Sequence, residues 1–436
     1  MSASGGRPPG AGQAGAARVA RHGASPLGVD RRLGVTAAAG VRAAGVACGL
    51  KPAGDLDLAL VVGDPGTVAA GVFTTNQVVA APVVWSRARL RAGPDARVVV
   101  LNSGNANACT GTAGEAAVVA TVERAAAAVG CRPEQVLVCS TGVIGVAPDT
   151  AALVVGVGRA AAALDRSGGQ SAAAAILTTD TVAKQAGTRV RGGATLGGMA
   201  KGAAMLAPAL APPAATMLAV LTTDAVADPA ALQAALAAAV ATTFNRITVD
   251  GAQSTNDTVL LLASGASGAR PDEADLTAAV EAVCDDLAGQ LLADAEGATT
   301  VVRIQVGGAG DERSALAVAR RVADSPLVKA AVYGGDPNWG RVLQAAGDAG
   351  VAFDPGAVRL EVAGGPGAAG LQRRDGPLDR VTLVRDGAPT GANGADALAA
   401  RELEIRLHLG GGGPWAEVRT ADLTPEYVRL NSEYTT

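Results

Sequence analysis

The sequence predicts an α/β protein built as a two-subdomain sandwich, and three observations carry that prediction. At 436 residues the chain is longer than a single hydrophobic core usually serves. From Gly34 onward, apolar runs of strand length alternate with longer stretches of helical period. Apolar residues make up 49% of the chain but aromatics only 2%, so the core must be closely packed Ala, Val and Leu. A net charge of -4 with no basic stripe or aromatic ladder argues against nucleic acid. No uninterrupted apolar span of about 20 residues suggests a membrane helix. The five cysteines (Cys48, Cys109, Cys131, Cys139, Cys284) show no CxxC or Cys/His spacing, so no metal site is expected and the thiols read as reduced and mostly buried. A soluble, cytoplasmic protein acting on small ligands fits this composition.

Taken in order, residues 1–30 are rich in Gly, Ala and Pro, carry Arg7, Arg18 and Arg21, and lack the apolar segment of a secretory signal. They read as a disordered low-complexity tail, and the lack of acidic residues before Asp30 leaves an organelle transit peptide open. Strands are expected at 56–62, 71–73 and 97–101, the last running into an Asn/Gly loop, 102–107, that suits either a ligand or a tight turn. A helix at 115–129 leads to a buried strand at 136–139, which ends in Ser140, Thr141 and Gly142. A Gly-containing bend after a strand aims a backbone N–H and a threonine hydroxyl at one point, as a tetrahedral oxyanion requires. Asp149 or Thr150 caps a helix to about 164, and ILTTDTVAK (176–184) reads as a capped turn that gathers three threonine hydroxyls, Thr178 among them, with the Asp180 carboxylate and the Lys184 ammonium.

In the second half, Thr216 opens a buried strand at 217–221. Asp228 and Pro229 are an N-cap and N1 pair for a helix to about 243. Strands at 245–250 and 257–264 are joined by GAQSTN, whose small polar residues suit a site lining. A helix over 273–294 ends at Ala295, Glu296 and Gly297, where a carboxylate opposes the macrodipole and so invites another explanation. The stretch 325–343, with Trp339, is neither GxGxxG nor Walker-like, and it reads as a structured turn. Amphipathic strands follow at 358–362, 380–384 and 402–409, with His408 on the polar side of the last. The C-terminus, YVRLNSEYTT, gathers hydroxyls and an amide where frayed charge is the norm.

Thr216 invites a chemical reading as well. A threonine hydroxyl needs a base, yet the only histidines are His22, in the tail, and His408, on a strand. A chain cut at Ala215-Thr216 supplies one without histidine, because the new α-amino group titrates near 7.7 to 8.0. On these residues alone, a plain strand start at Thr216 stays open.

The segments MAKGAAMLAP, ATML, LTTDA, LNSGNANACTG, STGVIG and DAEGAT resemble the self-cleaving ornithine acetyltransferases (glutamate N-acetyltransferases) of arginine biosynthesis, over residues 34–436. The resemblance implies a layered αββα-type sandwich with an N-terminal-nucleophile-like active site. It implies an N-terminal (alpha) chain, 31–215, a C-terminal (beta) chain, 216–436, and a heterotetramer of two of each. Thr216 then takes acetyl from N2-acetylornithine and passes it to glutamate, with Thr141 and Gly142 as the oxyanion hole. Substrate binding falls to Thr178, Lys201, Thr216, Glu296, Asn431 and Thr436. The cycle needs no cofactor, and acetyl-CoA as a further acetyl donor is left open. The chain departs from the family pattern in a longer loop before the cut, stiffened by Pro212 and Pro213, in Ala204 for a usual Gly, and in Ala252 for a usual acidic residue. Two other readings remain: an N-terminal-nucleophile amidase or aminopeptidase in which water is the acceptor, and an uncleaved, inactive relative that only binds amino acids.

Overall fold

In the computed structural model the described residues are 27–207, 210, 217–371 and 378–433. The chain begins with β1 (Val41–Val46), β2 (Leu58–Gly63), β3 (Val68–Phe73), α1 (Ala81–Ala92), β4 (Val98–Asn102), α2 (Gly111–Val129) and β5 (Val136–Ser140). It continues through α3 (Thr150–Ala162), α4 (Gly169–Ala175), β6 (Lys184–Arg189) and β7 (Thr195–Lys201). Beyond residue 217 come β8 (Leu218–Thr223), α5 (Pro229–Thr242), β9 (Ile247–Thr248), β10 (Thr258–Ala263) and α6 (Glu273–Ala293). The last third adds β11 (Val301–Gly307), α7 (Glu312–Ala323), α8 (Pro326–Tyr333), α9 (Trp339–Gly347), β12 (Arg359–Gly364) and β13 (Val381–Arg385). It closes with β14 (Ala388–Pro389), α10 (Ala395–Leu398), β15 (Glu402–His408), β16 (Ala416–Ala421) and α11 (Pro425–Glu433).

The first two sheets stack face to face between helices, as expected. One sheet has the order β1-β2-β4-β5 and the other β3-β10-β8-β7-β6. Side-chain alternation assigns each strand's faces. Leu60, Val98, Val100 and Val138 pack outward against Val118 and Val122 of α2 and Leu153 and Val157 of α3. Val61, Val99 and Leu101 face inward onto Met199, Leu218, Val220 and Leu260 of the second sheet. That sheet's other face, with Leu196, Leu221 and Leu261, packs on Leu232 and Leu236 of α5 and Leu287 and Leu291 of α6. The layer order is therefore αββα. Each fully buried Leu or Val contributes about 1.5–3 kcal/mol, so a nearly aromatic-free core still holds four layers.

A third sheet, of order β14-β13-β12-β15-β11-β16-β9, forms the second subdomain, with α7 and α9 packed on it. The subdomain boundary falls near residue 300, whereas position 215/216 falls in sequence between two strands of one sheet. Strands β3, β6 and β7 come from before it and β8 and β10 from after it, and β7 pairs directly with β8.

Several expectations need correction. The 325–343 stretch is two helices, α8 and α9, because the Ser325 side chain accepts from Val328 N and Pro326 occupies the first turn. The strand expected at 245–250 is only the two-residue β9. The polar side of β15 is covered: Glu404 is 1% exposed and accepts from Arg380 Nε at 2.7 Å. All five cysteines are free, but only Cys139 and Cys284 are buried, Cys48 and Cys131 are partly so, and Cys109 is exposed. At the N-terminal end, Asp30 exchanges backbone hydrogen bonds with Gly187, so the chain joins the second sheet ahead of Gly34. Among the described residues no helix is long and apolar enough to cross a membrane.

Candidate active site

Lys201 is the last residue of β7 and pairs in register with Leu218, the first of β8, which pairs in turn with Thr258 of β10. This row marks one end of the second sheet. Beneath it, β5 of the first sheet ends at Ser140 and runs into Thr141 and Gly142, and the two sheet ends meet where the Lys201 Nζ donates to Thr141 Oγ1 at 3.1 Å. Lys201 is 3% exposed, and burial, partly offset by Asp180 and Asp257, pulls its ammonium below the usual lysine range.

The bend after β5 is built around Gly142. Its φ is +130°, and an added Cβ would lie 2.4 Å from the Gly104 carbonyl carbon, so only glycine fits. The Asn102–Asn107 loop supports this bend and spends its amides on protein partners. Asn102 Nδ2 donates to Asn105 O at 2.8 Å, and Asn105 Nδ2 donates to Val146 O at 3.0 Å. Across from it, Asn256 Nδ2 donates to Ala106 O at 2.5 Å and Ser140 O at 2.8 Å, tying the loop before β10 to the end of β5.

Two further walls complete the cleft. Glu296, beyond α6, is anchored by its own N–H to Ala203 O at 2.9 Å and accepts from Asn431 Nδ2 of α11 at 2.7 Å. The left-handed turn at Gly297, φ +66°, lets α11 approach, since a Cβ there would meet Tyr427 N at 2.5 Å. On the other side, the 178–184 turn is held by a buried ion cluster. Lys184 Nζ donates to Asp180 Oδ1 and to Asp294 Oδ2, each at 2.6 Å. Asp180 also accepts from Gly202 N at 2.8 Å and Thr178 N at 3.2 Å, and lies 4.0 Å from Lys201 Nζ.

The result is a small open cleft lined by Thr141, Gly142, Thr178, Lys201, Glu296 and Asn431, all singled out in the sequence, with Ser254, Thr255 and Asn256. An ammonium and a carboxylate in one cleft suit the two charges of an amino acid, and hydroxyls and amides suit its polar edges. The GAQSTN loop does line the cleft, through Ser254 to Asn256 rather than Ala252, whose carbonyl accepts from Ala207 N. Ala215, Thr216 and Thr436 lie outside the described residues. Met217 is described: it is buried, its carbonyl accepts from Thr258 N at 3.0 Å, and it stands between Thr216 and Leu218, the register partner of Lys201. Sequence reasoning missed the Asp180–Lys184–Asp294 cluster and the bracing role of Asn256. The four-residue spacing of Asp180 and Lys184 was visible, but Asp294 is distant in sequence. No group of three or more His, Cys, Asp or Glu side chains is arranged for a metal among the described residues.

The ArgJ family model matches residues 42–436. The arginine biosynthesis bifunctional protein ArgJ of Thermobifida fusca is 47% identical over 405 residues, covering 93% of this chain and all of that protein. Its counterpart in Mycobacterium bovis is 48% identical over 419 residues, covering 93% of this chain and 97% of the relative. Among solved structures, a chain of the ornithine acetyltransferase of Mycobacterium tuberculosis, complexed with ornithine, is 50% identical over 42% of this chain and 98% of its own, with a TM-score of 0.41. With a family model matching nearly its whole length and relatives of similar size at almost half identity, this chain belongs to the ArgJ family of arginine-biosynthesis enzymes.

Proposed function

We propose that the chain cuts itself at Ala215-Thr216 and then transfers the acetyl group of N2-acetylornithine to glutamate through an acetyl-Thr216 intermediate. The observation that carries this reading is the position of Lys201, hydrogen-bonded to Thr141 and paired with Leu218, two residues past Thr216. Leu218 follows Thr216 by two residues, so this pairing supports a reading in which the Thr216 hydroxyl works with the Thr141–Gly142 bend and with an ammonium suited to an α-carboxylate.

In maturation, the Thr216 hydroxyl adds to the Ala215 carbonyl, and the C–N bond breaks to leave an ester and a free α-amine. Water then hydrolyses the ester and restores the hydroxyl. In each turnover the amine takes the hydroxyl proton as Oγ1 attacks the acetyl carbonyl, and Thr141 and Gly142 donate to the oxyanion. Ornithine leaves with that proton on its amine, and the amino group of glutamate attacks the acetyl ester in the second half of a ping-pong cycle. Glu296 holds the ammonium end of the bound amino acid, with Thr178, Asn431 and Thr436 completing the site. No cofactor enters these steps, and acetyl-CoA is a further donor to assay. The cut yields an alpha chain that ends at Ala215, with 31–215 as its folded part after the 1–30 tail, and a beta chain of 216–436, joined by the β7–β8 pairing and assembled two and two in the cytoplasm.

A denaturing gel with N-terminal sequencing, paired with an acetyl-transfer assay, tests the reading. Purified protein is expected as two fragments, one beginning TMLAV, with acetyl release from N2-acetylornithine dependent on glutamate. Thr216→Ala is expected to stay one chain and to lose transfer by roughly a thousandfold or more. Acetate release that ignores glutamate would make the protein a hydrolase, and an intact, inactive wild-type chain would sink the proposal.

A further inference from the structure

Asp257, the residue before β10, is fully buried, and neither of its carboxyl oxygens has a hydrogen-bond partner. Buried polar side chains are nearly always paired, so this one calls for an occupant. Its position is fixed on both sides: Thr74 N donates to the Asp257 carbonyl at 2.9 Å, and Thr258 N donates to Met217 O at 3.0 Å. The donors that bear on its carboxyl are the backbone amides of Met217, Ser254 and Asp257 itself, none in hydrogen-bonding geometry, and burial drives the group well above the usual carboxyl range.

The Met217 amide is the informative neighbour. Covalent geometry keeps the nitrogen of residue 216 within about 4 Å of the Met217 nitrogen whatever the conformation between them. In the intact chain that nitrogen is a peptide nitrogen and not basic. After a cut at Ala215-Thr216 it is an α-amine.

We infer that the Asp257 carboxyl is the counter-ion of the α-amino group that cleavage creates at Thr216, an inference that rests on the cleavage proposed above. In the intact chain the carboxyl keeps its proton, having no cation to pair with beyond Lys201. Cleavage places an amine beside it, and the carboxyl proton passes to that nitrogen, giving a carboxylate and an ammonium. The next proton to leave the pair leaves from the ammonium to water, and the neutral amine is then the base for the Thr216 hydroxyl. When it takes the hydroxyl proton during attack, the ammonium forms beside a carboxylate already in place. Lys201 of β7 is the charged side chain acting on Asp257, and Asp180, Lys184 and Lys51 act in turn on Lys201. Thr74, just past β3, whose N–H donates to the Asp257 carbonyl, and Ser254, Thr255 and Asn256, which precede Asp257 in the chain, carry no charge. Asp257 is thus a positioning residue acting through the amine.

Two measurements test this. In matured Asp257→Asn, the acidic limb of kcat/KM for acetyl transfer is expected to move down by about one pH unit or more, because the ammonium has lost its counter-ion. The plateau should fall about tenfold or more, and an acidic limb at the wild-type position would overturn the inference. The second uses infrared spectroscopy at neutral pH on the uncleaved Thr216→Ala protein, which needs no maturation of the Asp257 variant. A protonated-carboxyl band is expected there, lost both in Thr216→Ala/Asp257→Asn and in matured wild type. A band that persists in the matured enzyme would overturn the inference. If the wild type never cuts while the uncleaved band is present, the cleavage reading fails and takes the counter-ion role with it.

Discussion

Two aspartates flank Lys201 at the end of the second sheet, and their surroundings differ completely. The Asp180 side chain is fully buried yet saturated: Lys184, Gly202 and Thr178 all donate to it, and Lys201 stands 4.0 Å away. Asp257 is as deeply buried and has no hydrogen-bond partner. Depth alone therefore does not set the role of a buried carboxyl. A saturated one holds the walls of the site in place, whereas an unsaturated one is left available for a group that arrives later.

Stability measurements sharpen that contrast. Asp180→Asn leaves the Lys184 and Lys201 ammoniums short of their shared anion, and breaking a buried pair in this way costs about 3–5 kcal/mol. Urea unfolding of uncleaved protein should show it, and a loss under about 1 kcal/mol would erase the distinction between the two aspartates.

The next largest effect is in pH. Burial by itself would raise the Asp180 carboxyl, but Lys184, Lys201 and the Gly202 amide more than offset it and hold the group well below the usual carboxylate range. Its unfolded value is near 3.9, so its stabilisation is complete above that pH and is lost as pH falls through the folded value. Wild-type stability should decline from about pH 5 downward, and Asp180→Asn should flatten that decline. Asp257 has the opposite sign. Its folded value is raised, so its contribution is complete below about 3.9 and is lost as pH rises through the folded value. In uncleaved protein the slope that Asp257→Asn removes should therefore run opposite to the slope that Asp180→Asn removes, and parallel slopes would show that the two carboxyls are alike.

The smallest effect is in the unfolding free energy of Asp257→Asn near neutral pH in the Thr216→Ala background. One neutral buried group replaces another, so the change should stay within about 1 kcal/mol. A loss as large as that of Asp180→Asn would mean that Asp257 supports the fold.

The sequence was readable where local chemistry sets the outcome. The strand running into Thr141 and Gly142 stands where apolar run and glycine placed it, and Asp149 and Asp228 cap α3 and α5 as their side chains imply. The cleft's lining from Thr178 to Asn431 came from the family resemblance, since those residues share no local pattern. What stayed hidden depends on contacts across the chain. Asp257 reads as an ordinary strand start until β8 is laid beside β10, and Asp180 reads as a turn former until Asp294, from the end of α6, closes on Lys184. Alternation marks the polar face of the 402–409 strand but cannot tell an open sheet face from one covered, as at Glu404, by Arg303 and Arg380. The Ser325-Pro326 cap was legible and was overlooked beside the rarer Trp339.

The pairing of β7 with β8 has a consequence for how such a protein is encoded. Each residue from Leu196 to Lys201 is matched to one from Thr223 to Leu218, in the interior of a five-stranded sheet. Two separately translated pieces divided at residue 216 would each emerge from the ribosome with an open, apolar strand edge, the kind of surface that pairs with the wrong chain. A single reading frame that folds first and divides afterwards never exposes those edges. For the cut proposed above, the sheet therefore requires folding before scission, and a gene split at this codon is expected to yield aggregates in place of enzyme.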